Sequence, residues 1–438
     1  MKAAGRLAAT VALLTVLAVA TPLASAGPSR NAASRASQVV GYFIEWGIYG
    51  RNFKVKDVKT SGSADKLTVI NYAFGNVAPD SSGSVVCQIA DPWADYQTAW
   101  KAPDSVTNEA VTSGPLLGNF QQLQALKDQY PHLKVLISIG GWTFSKYFSD
   151  AALTKQSRER FVSSCIDLFI KGNLPSSGDQ GGPGAAAGVF DGIDVDWEWP
   201  GSEGNTGNII RPQDKQNFTL LLREFRKQLR TYGRTTRKDY LLTAFLPAAA
   251  DKISAGFEVP DIFGPLDFGN VQGYDFHGTW EPTTNHQSNL FSSPGDPSRP
   301  RYSDDSVVRE YLRRDAPPKR IVVGVPFYSR GWTGVGPTNY GLYQPASGAA
   351  PGTWEAGVED YKVAKQLLGN GYTRYQDNQA GAAWLFDGTT FWTFDDRAVM
   401  AAKADYVRSN RLGGIVFWEL SGDTPDGELV SAIAGGLP

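Results

Sequence analysis

Four acids fall within eight residues of the stretch VFDGIDVDWEWP at 189–200: Asp191, Asp194, Asp196 and Glu198. On an extended backbone successive side chains point to opposite faces, so Asp194, Asp196 and Glu198 share one face and Val195, Trp197 and Trp199 the other. Carboxylates about 6.6 Å apart along a strand repel one another, so at least one must stay protonated or strong hydrogen bonds must hold the charge. A solvated acidic face would not alternate with Ile, Val and Trp. A calcium loop counted from Asp191 needs Gly at its sixth position and Glu at its twelfth, where this chain has Asp196 and Ser202. His132, His277 and His286 are too scattered for a zinc motif, and no G-x-S-x-G or phosphate-cradling loop occurs. What remains is acid/base chemistry on a bond whose leaving oxygen needs a proton. Glycoside hydrolysis fits, because it needs one protonated carboxylic acid and negative charge beneath an oxocarbenium-like centre. Glu198, last in the row, is the expected acid, and Asp194 and Asp196, deeper in, are expected to share a proton and adjust its pKa.

Such a row needs a scaffold that buries a strand on both faces. Eight apolar runs recur along the chain, at 39–46, 67–75, 133–142, 188–199, 240–249, 266–276, 320–332 and 412–420. Between them lie stretches of helical period such as NFQQLQALKDQY, KQSRERFVSSCIDLFIKG, QNFTLLLREFRKQLR, DDSVVREYLRRD and DDRAVMAAKADYVRSN. Strand–helix alternation with near-continuous apolar strands predicts a parallel sheet, and eight strands close a (β/α)8 TIM barrel, an α/β fold. Barrel chemistry sits where strands enter the following loops, so Trp142, Glu198, Tyr274, Asp275, Arg330, Trp332 and Trp418, late in their runs, are expected to converge on one cleft. The polar loop 76–118 is expected to wall that cleft, and the Gly-rich tract 175–188 to be a flexible loop. Residues 333–390 mix a short helix with aromatic strand fragments and predict a small α+β insertion between the seventh and eighth strands. The barrel is then 38–332 plus 391–438.

A net charge of −2 offers no basic excess for nucleic acid or an anionic membrane. Lys2 and Arg6 precede an apolar run from Leu7 to Ala20 that ends at the small-x-small pattern ASA at 24–26. This predicts a signal peptide over 1–26 and a secreted, extracellular product, the run being too short to span a bilayer. Cys87 and Cys165 are the only cysteines; export permits a disulfide, but Phe161, Cys165 and Leu168 share a helical stripe, which favours a buried thiol.

The pattern Asp191-x-x-Asp194-x-Asp196-x-Glu198 resembles the D-x-x-D-x-D-x-E signature of glycoside hydrolase family 18 chitinases, and SIGG at 138–141 resembles their second signature. The likeness extends to GY at 41–42, YD at 274–275, GVPFYSRGW at 324–332, TWEAGVEDY at 353–361 and GGIVFWEL at 413–420, with 333–390 matching the chitinase insertion domain of one bacterial subfamily. The resemblance implies hydrolysis of β-1,4 links in chitin and chito-oligosaccharides, with retention, no metal and no cofactor. The nucleophile is then the substrate's own acetamido oxygen, giving an oxazolinium ion. Carried over, Glu198 is the acid and then the base, Asp196 holds the acetamido N–H, and Asp194 partners Asp196. Tyr274 bonds the acetamido oxygen, Asp275 contacts the distorted sugar, and Trp418 forms its floor. Tyr42, Phe74, Trp142, Trp280 and Arg330 are expected subsite residues, with Asp191 and Glu355 in support. Gln272 stands where many relatives carry Met, which bears on fine specificity. An endo-β-N-acetylglucosaminidase acting on glycoprotein glycans and an inactive chitin-binding lectin of the same fold are the alternatives. The chain is expected to act as a monomer.

Overall fold

The computed structural model describes Met1 and residues 37–438. The expected signal peptide, Met1 aside, lies outside the described residues. Among these, no helix is long and apolar enough to cross a membrane.

All eight apolar runs form barrel strands: β1 (Gln38–Ile44), β2 (Val69–Pro79), β3 (Lys134–Gly140), β4 (Gly192–Asp196), β5 (Leu241–Leu246), β6 (Phe268–Val271), β7 (Ile321–Pro326) and β8 (Gly414–Trp418). Each pairs in parallel with its neighbours, and β1 pairs with both β2 and β8, which closes the barrel. Strand alternation divides the apolar residues into two cores. Val40, Val69, Leu136, Phe268, Val322 and Val416 pack together in one cluster. Phe43, Ile70, Val135, Ile193, Leu242, Val323 and Phe417 belong to the larger cluster shared with the helices.

Helices cover the strands where the periodicity placed them, at Gly118–Gln129, Lys155–Cys165, Asp214–Thr236, Asp304–Arg313 and Arg397–Ser409. In the last two of these helices side-chain oxygens take up free N–H groups of the first turn: Ser303 accepts from Ser306 at 3.1 Å, and Asp396 from Ala398 and Val399 at 3.0 Å each.

Between β7 and β8 lies a second, six-stranded sheet, paired antiparallel throughout, whose strands span residues 328–394. It corrects one expectation. The run 320–332 is two strands, β7 and Tyr328–Thr333, with the chain passing from barrel to second sheet at Phe327. Trp332 therefore packs with Val335, Leu342, Trp384 and Phe391 in that sheet's own core and does not reach the barrel mouth.

The 76–118 segment also departs from expectation, since none of its residues lines the cleft. Val85–Ile89 pairs antiparallel with the outer end of β2, and Cys87 is joined to Cys165 by a disulfide. The buried-thiol expectation for Cys165 is thus corrected: its stripe faces the core, and Cys87 lies there too. The Gly-rich tract carries a short hairpin, Leu174–Ser177 against Gln180–Gly182.

The bridge closes a loop across a sequence separation of 78 residues. Replacing both cysteines by serine should lower stability by up to about 4 kcal/mol. Thermal unfolding of the variant against the parent, with and without reductant, checks this.

Candidate active site

The acidic row begins at the barrel's centre. β4 lies between β3 and β5, with Asp194 opposite Ser138 on one side and Thr243 on the other. The Asp194 carboxylate is fully buried and accepts four hydrogen bonds. Tyr42 Oη and Ser138 Oγ donate to Oδ2 at 2.9 Å each, and Thr243 Oγ1 and Asn270 Nδ2 donate to Oδ1 at 2.5 and 3.1 Å. These donors come from β1, β3, β5 and β6. Burial raises the Asp194 pKa above the ordinary carboxylate value, and the four bonds pull it back.

Two residues on, Asp196 has no comparable ring of donors. Its Oδ1 is buried with no hydrogen-bond partner. Burial first, then Glu198 and Asp194, push its pKa well above the carboxylate range.

Beyond the end of β4, the chain places Glu198 at the barrel mouth. Its backbone is fixed from two sides: its N–H donates to Ser145 Oγ at 2.9 Å, and its carbonyl accepts from Asn208 Nδ2 at 2.8 Å. The SIGG stretch makes room for this turn. Gly140 has φ 108°, and a Cβ there would lie 2.2 Å from the Asp196 carbonyl oxygen. Burial pushes the Glu198 carboxyl up to about 8; Lys252 draws it down and Asp275 pushes it up. At neutral pH the carboxyl carries a proton it can give away.

These groups open into a cleft of about 1110 Å³. Trp418 stacks on Phe74 at 5.6 Å and lies 5.2 Å from Tyr42, forming an apolar floor. On the β6 side, Tyr274 stacks on Phe245, which stacks on Trp199. Burial and the neighbouring carboxylates raise the Tyr274 pKa well above that of a free phenol, so its hydroxyl keeps its proton. Asp275, at φ 57°, accepts from Tyr328 Oη at 2.6 Å and from Arg330 Nε at 2.9 Å. Arg330 in turn lies over the exposed Trp280 ring, 5.0 Å from its centroid. Among the described residues, no three His, Cys, Asp or Glu side chains converge as metal ligands would.

Comparison with known proteins agrees with this geometry. Residues 38–423 match glycosyl hydrolases family 18. The chain belongs to that family. It is 35% identical to chitinase A1 of Niallia circulans, over 94% of this chain and 60% of that protein. It is 39% identical to chitinase 63 of Streptomyces plicatus, over 91% of this chain and 60% of that one. The chain thus spans three-fifths of the length of these relatives. Among solved structures, the catalytic domain of psychrophilic chitinase B from Arthrobacter TAD20 superposes with a TM-score of 0.87 at 46% identity, covering 92% of this chain and 95% of that one.

Against the family signature, the structure brings Tyr42, Phe74, Trp142, Asp196, Glu198, Tyr274, Asp275, Trp280, Arg330, Glu355 and Trp418 to one cleft. Asp194 lies beneath them. Asp191 does not join them. It sits just before β4, paired with Lys127 at 2.7 Å and accepting the Val135 N–H at 3.0 Å, at the opposite end of the strand from Glu198. The cleft also contains residues that the run ends did not mark: Trp46, Arg51, Lys252, Trp354, Asp360 and Glu419. Trp46 closes the first apolar run, a signal the strand-end rule could have used. Arg51 lies on a connecting segment and Lys252 on the short helix Ala250–Gly256, neither of them at the end of an apolar run.

Four donors around one buried carboxyl make Asp194 a demanding position. Asp194→Asn turns an NH2 toward donors that need an oxygen. It should cost roughly 3 kcal/mol, read as a lower urea midpoint at an unchanged slope.

Proposed function

We propose that the protein is a secreted chitinase that cleaves β-1,4 links between N-acetylglucosamine units with retention, using the substrate's acetamido group as nucleophile. The observation that carries this reading is the unpartnered, buried Oδ1 of Asp196 beside a protonated Glu198. A carboxyl oxygen without a donor in so dry a place suits a ligand that brings an N–H.

In this reading Glu198 gives its proton to the glycosidic oxygen as the C1–O bond breaks. The acetamido oxygen bonds to C1 from below, forming an oxazolinium ion. Asp196 accepts the amide N–H and, sharing its proton with Asp194, turns its own negative charge toward the positive ion as that charge develops. The Tyr274 hydroxyl donates to the acetamido oxygen and fixes the direction of attack. Trp418 supports the apolar face of the sugar, and Asp275, braced by Tyr328 and Arg330, faces the distorted ring. Glu198, now a carboxylate, takes a proton from water as that water attacks C1. The bond to the amide oxygen breaks, and the sugar leaves with its original β configuration.

The exposed rings of Trp46, Trp142, Trp280 and Trp354 along the cleft suit an extended chain of sugars, each ring offering a flat face for stacking. The second sheet supplies Arg330, Trp354 and Glu355 to one wall, as an insertion domain would. Export by the 1–26 segment suits a polymer too large to enter a cell, and in this reading the chain would act as a monomer.

Glu198→Gln should lower kcat on a chito-oligosaccharide by about 10²–10⁴. NMR of fresh product should show the β-anomer, and a polymer without acetamido groups should resist cleavage; early α-anomer would refute substrate assistance. The pH limb follows from the raised Glu198 pKa. Below about 8 the acid holds its proton and above it the acid form is lost. The free-enzyme profile, kcat/KM, should therefore fall about tenfold per pH unit on the alkaline side.

A further inference from the structure

Behind the β6 loop lies a buried charge cluster that the reaction does not use. Lys403, on the helix Arg397–Ser409, is 1% exposed. Its Nζ lies 3.0 Å from Asp304 Oδ2 and 2.6 Å from Asp395 Oδ2, and donates to the carbonyl and hydroxyl of Ser288 at 2.5 Å each. Asp304 opens the helix Asp304–Arg313, and Asp395 directly follows the strand Thr390–Phe394 of the second sheet. The cluster therefore joins three elements of the chain. A buried ion pair is weak support for stability, which leaves its placement to be explained.

The link to the cleft runs through Ser288. Its hydroxyl donates to the carbonyl of Gly273 at 2.6 Å, and its neighbour Gln287 accepts the N–H of Phe276 through its carbonyl at 3.0 Å. Residues 287 and 288 thus grip the backbone on both sides of Tyr274–Asp275. Gly273 fits closely here, since a Cβ would lie 2.1 Å from the Gly324 carbonyl oxygen and 2.6 Å from Asp304 Oδ1. We propose that Ser288, held by Lys403 between Asp304 and Asp395, is a positioning residue that sets where Tyr274 and Asp275 stand over the reacting sugar. The role rests on the functional reading above. Ser288 touches no substrate; it acts through the Gly273 carbonyl. With the grip loosened, the Tyr274 hydroxyl loses its aim at the acetamido oxygen, which matters most when that oxygen attacks.

The test compares the parent with Ser288→Ala, Ser288→Thr and Lys403→Met on a chito-oligosaccharide. Ser288→Ala removes only the hydroxyl and should lower kcat tenfold or more, with KM within twofold. Affinity for a thiazoline mimic of the oxazolinium ion should weaken in step with kcat. Ser288→Thr restores the hydroxyl and should recover most of the rate. Lys403→Met, where it folds, should match Ser288→Ala. A folded Ser288→Ala protein with kcat within twofold of the parent, or one whose rate falls only with its folded fraction, overturns the positioning role alone. A parent that cleaves no chito-oligosaccharide overturns the functional reading and this role with it.

Discussion

One buried carboxyl group organises the barrel. Asp194 lies fully inside, where a lone carboxylate would take up a proton to escape the low dielectric. Four donors from four strands oppose that shift without cancelling it. They satisfy both oxygens and fix the register of β1, β3, β5 and β6 about β4, because each donor must meet the same two oxygens. Charge on this carboxyl then acts on its neighbours. Asp196, without donors of its own, is driven toward its neutral form by burial, by Glu198 and by Asp194. Burial thus raises all three acids of the row, but only Asp194 has donors that oppose the shift, so one motif holds carboxyls in different environments, as acid/base chemistry near neutral pH requires.

Packing places the rest. Trp197 faces away from the site and stacks on Phe148 at 5.4 Å, so the side chains between Asp196 and Glu198 anchor the strand outward while the acids face inward. Ser145 reaches back from the turn after β3 to bond the Glu198 N–H, and Gly140 lets that turn pass the Asp196 carbonyl. The peptide bonds Ala73–Phe74, Glu198–Trp199 and Trp418–Glu419, at the ends of three barrel runs, are all cis.

Much of this was legible in the sequence because barrel burial writes itself as apolar runs, and barrel chemistry sits at their ends. Alternation placed Asp194, Asp196 and Glu198 correctly on one side and Trp197 on the other. Where the sequence misled, a local pattern met a tertiary constraint it does not encode. Nothing but the adjoining Pro326 marks Phe327 as a boundary, so one apolar run holds two strands, and Trp332, expected at the cleft, lies in the second sheet's core. The polar 76–118 segment turned outward because part of it extends β2 and is tied to a helix by a disulfide. Asp191 shares a motif with Asp194, Asp196 and Glu198, but three residues before Asp194 it lies beyond the strand's other end, where Lys127 can meet it. A buried acid such as Glu45, pushed up to about 11 by burial and by Asp95, has no signature in one dimension.

The passage from barrel to second sheet explains how the cleft keeps its shape without a rigid loop. Phe327 is the single residue between β7 and the strand Tyr328–Thr333, and it is fully buried. Its ring stacks on Phe417 of β8 at 4.0 Å, and its N–H donates to the Trp418 carbonyl at 2.8 Å. Its own carbonyl accepts from Tyr361 of the second sheet's helix at 2.9 Å. Three residues later the same strand delivers Arg330 to Asp275 at the end of β6. The second sheet is thus held to the barrel at both edges of the cleft, by Phe327 beside Trp418 on one side and by the Arg330–Asp275 pair on the other. Neither contact can shift without moving Trp418 or Asp275. The depth of the cleft and the placement of Trp418 and Asp275 are therefore one constraint, set by Phe327 at one edge and by the Arg330–Asp275 pair at the other.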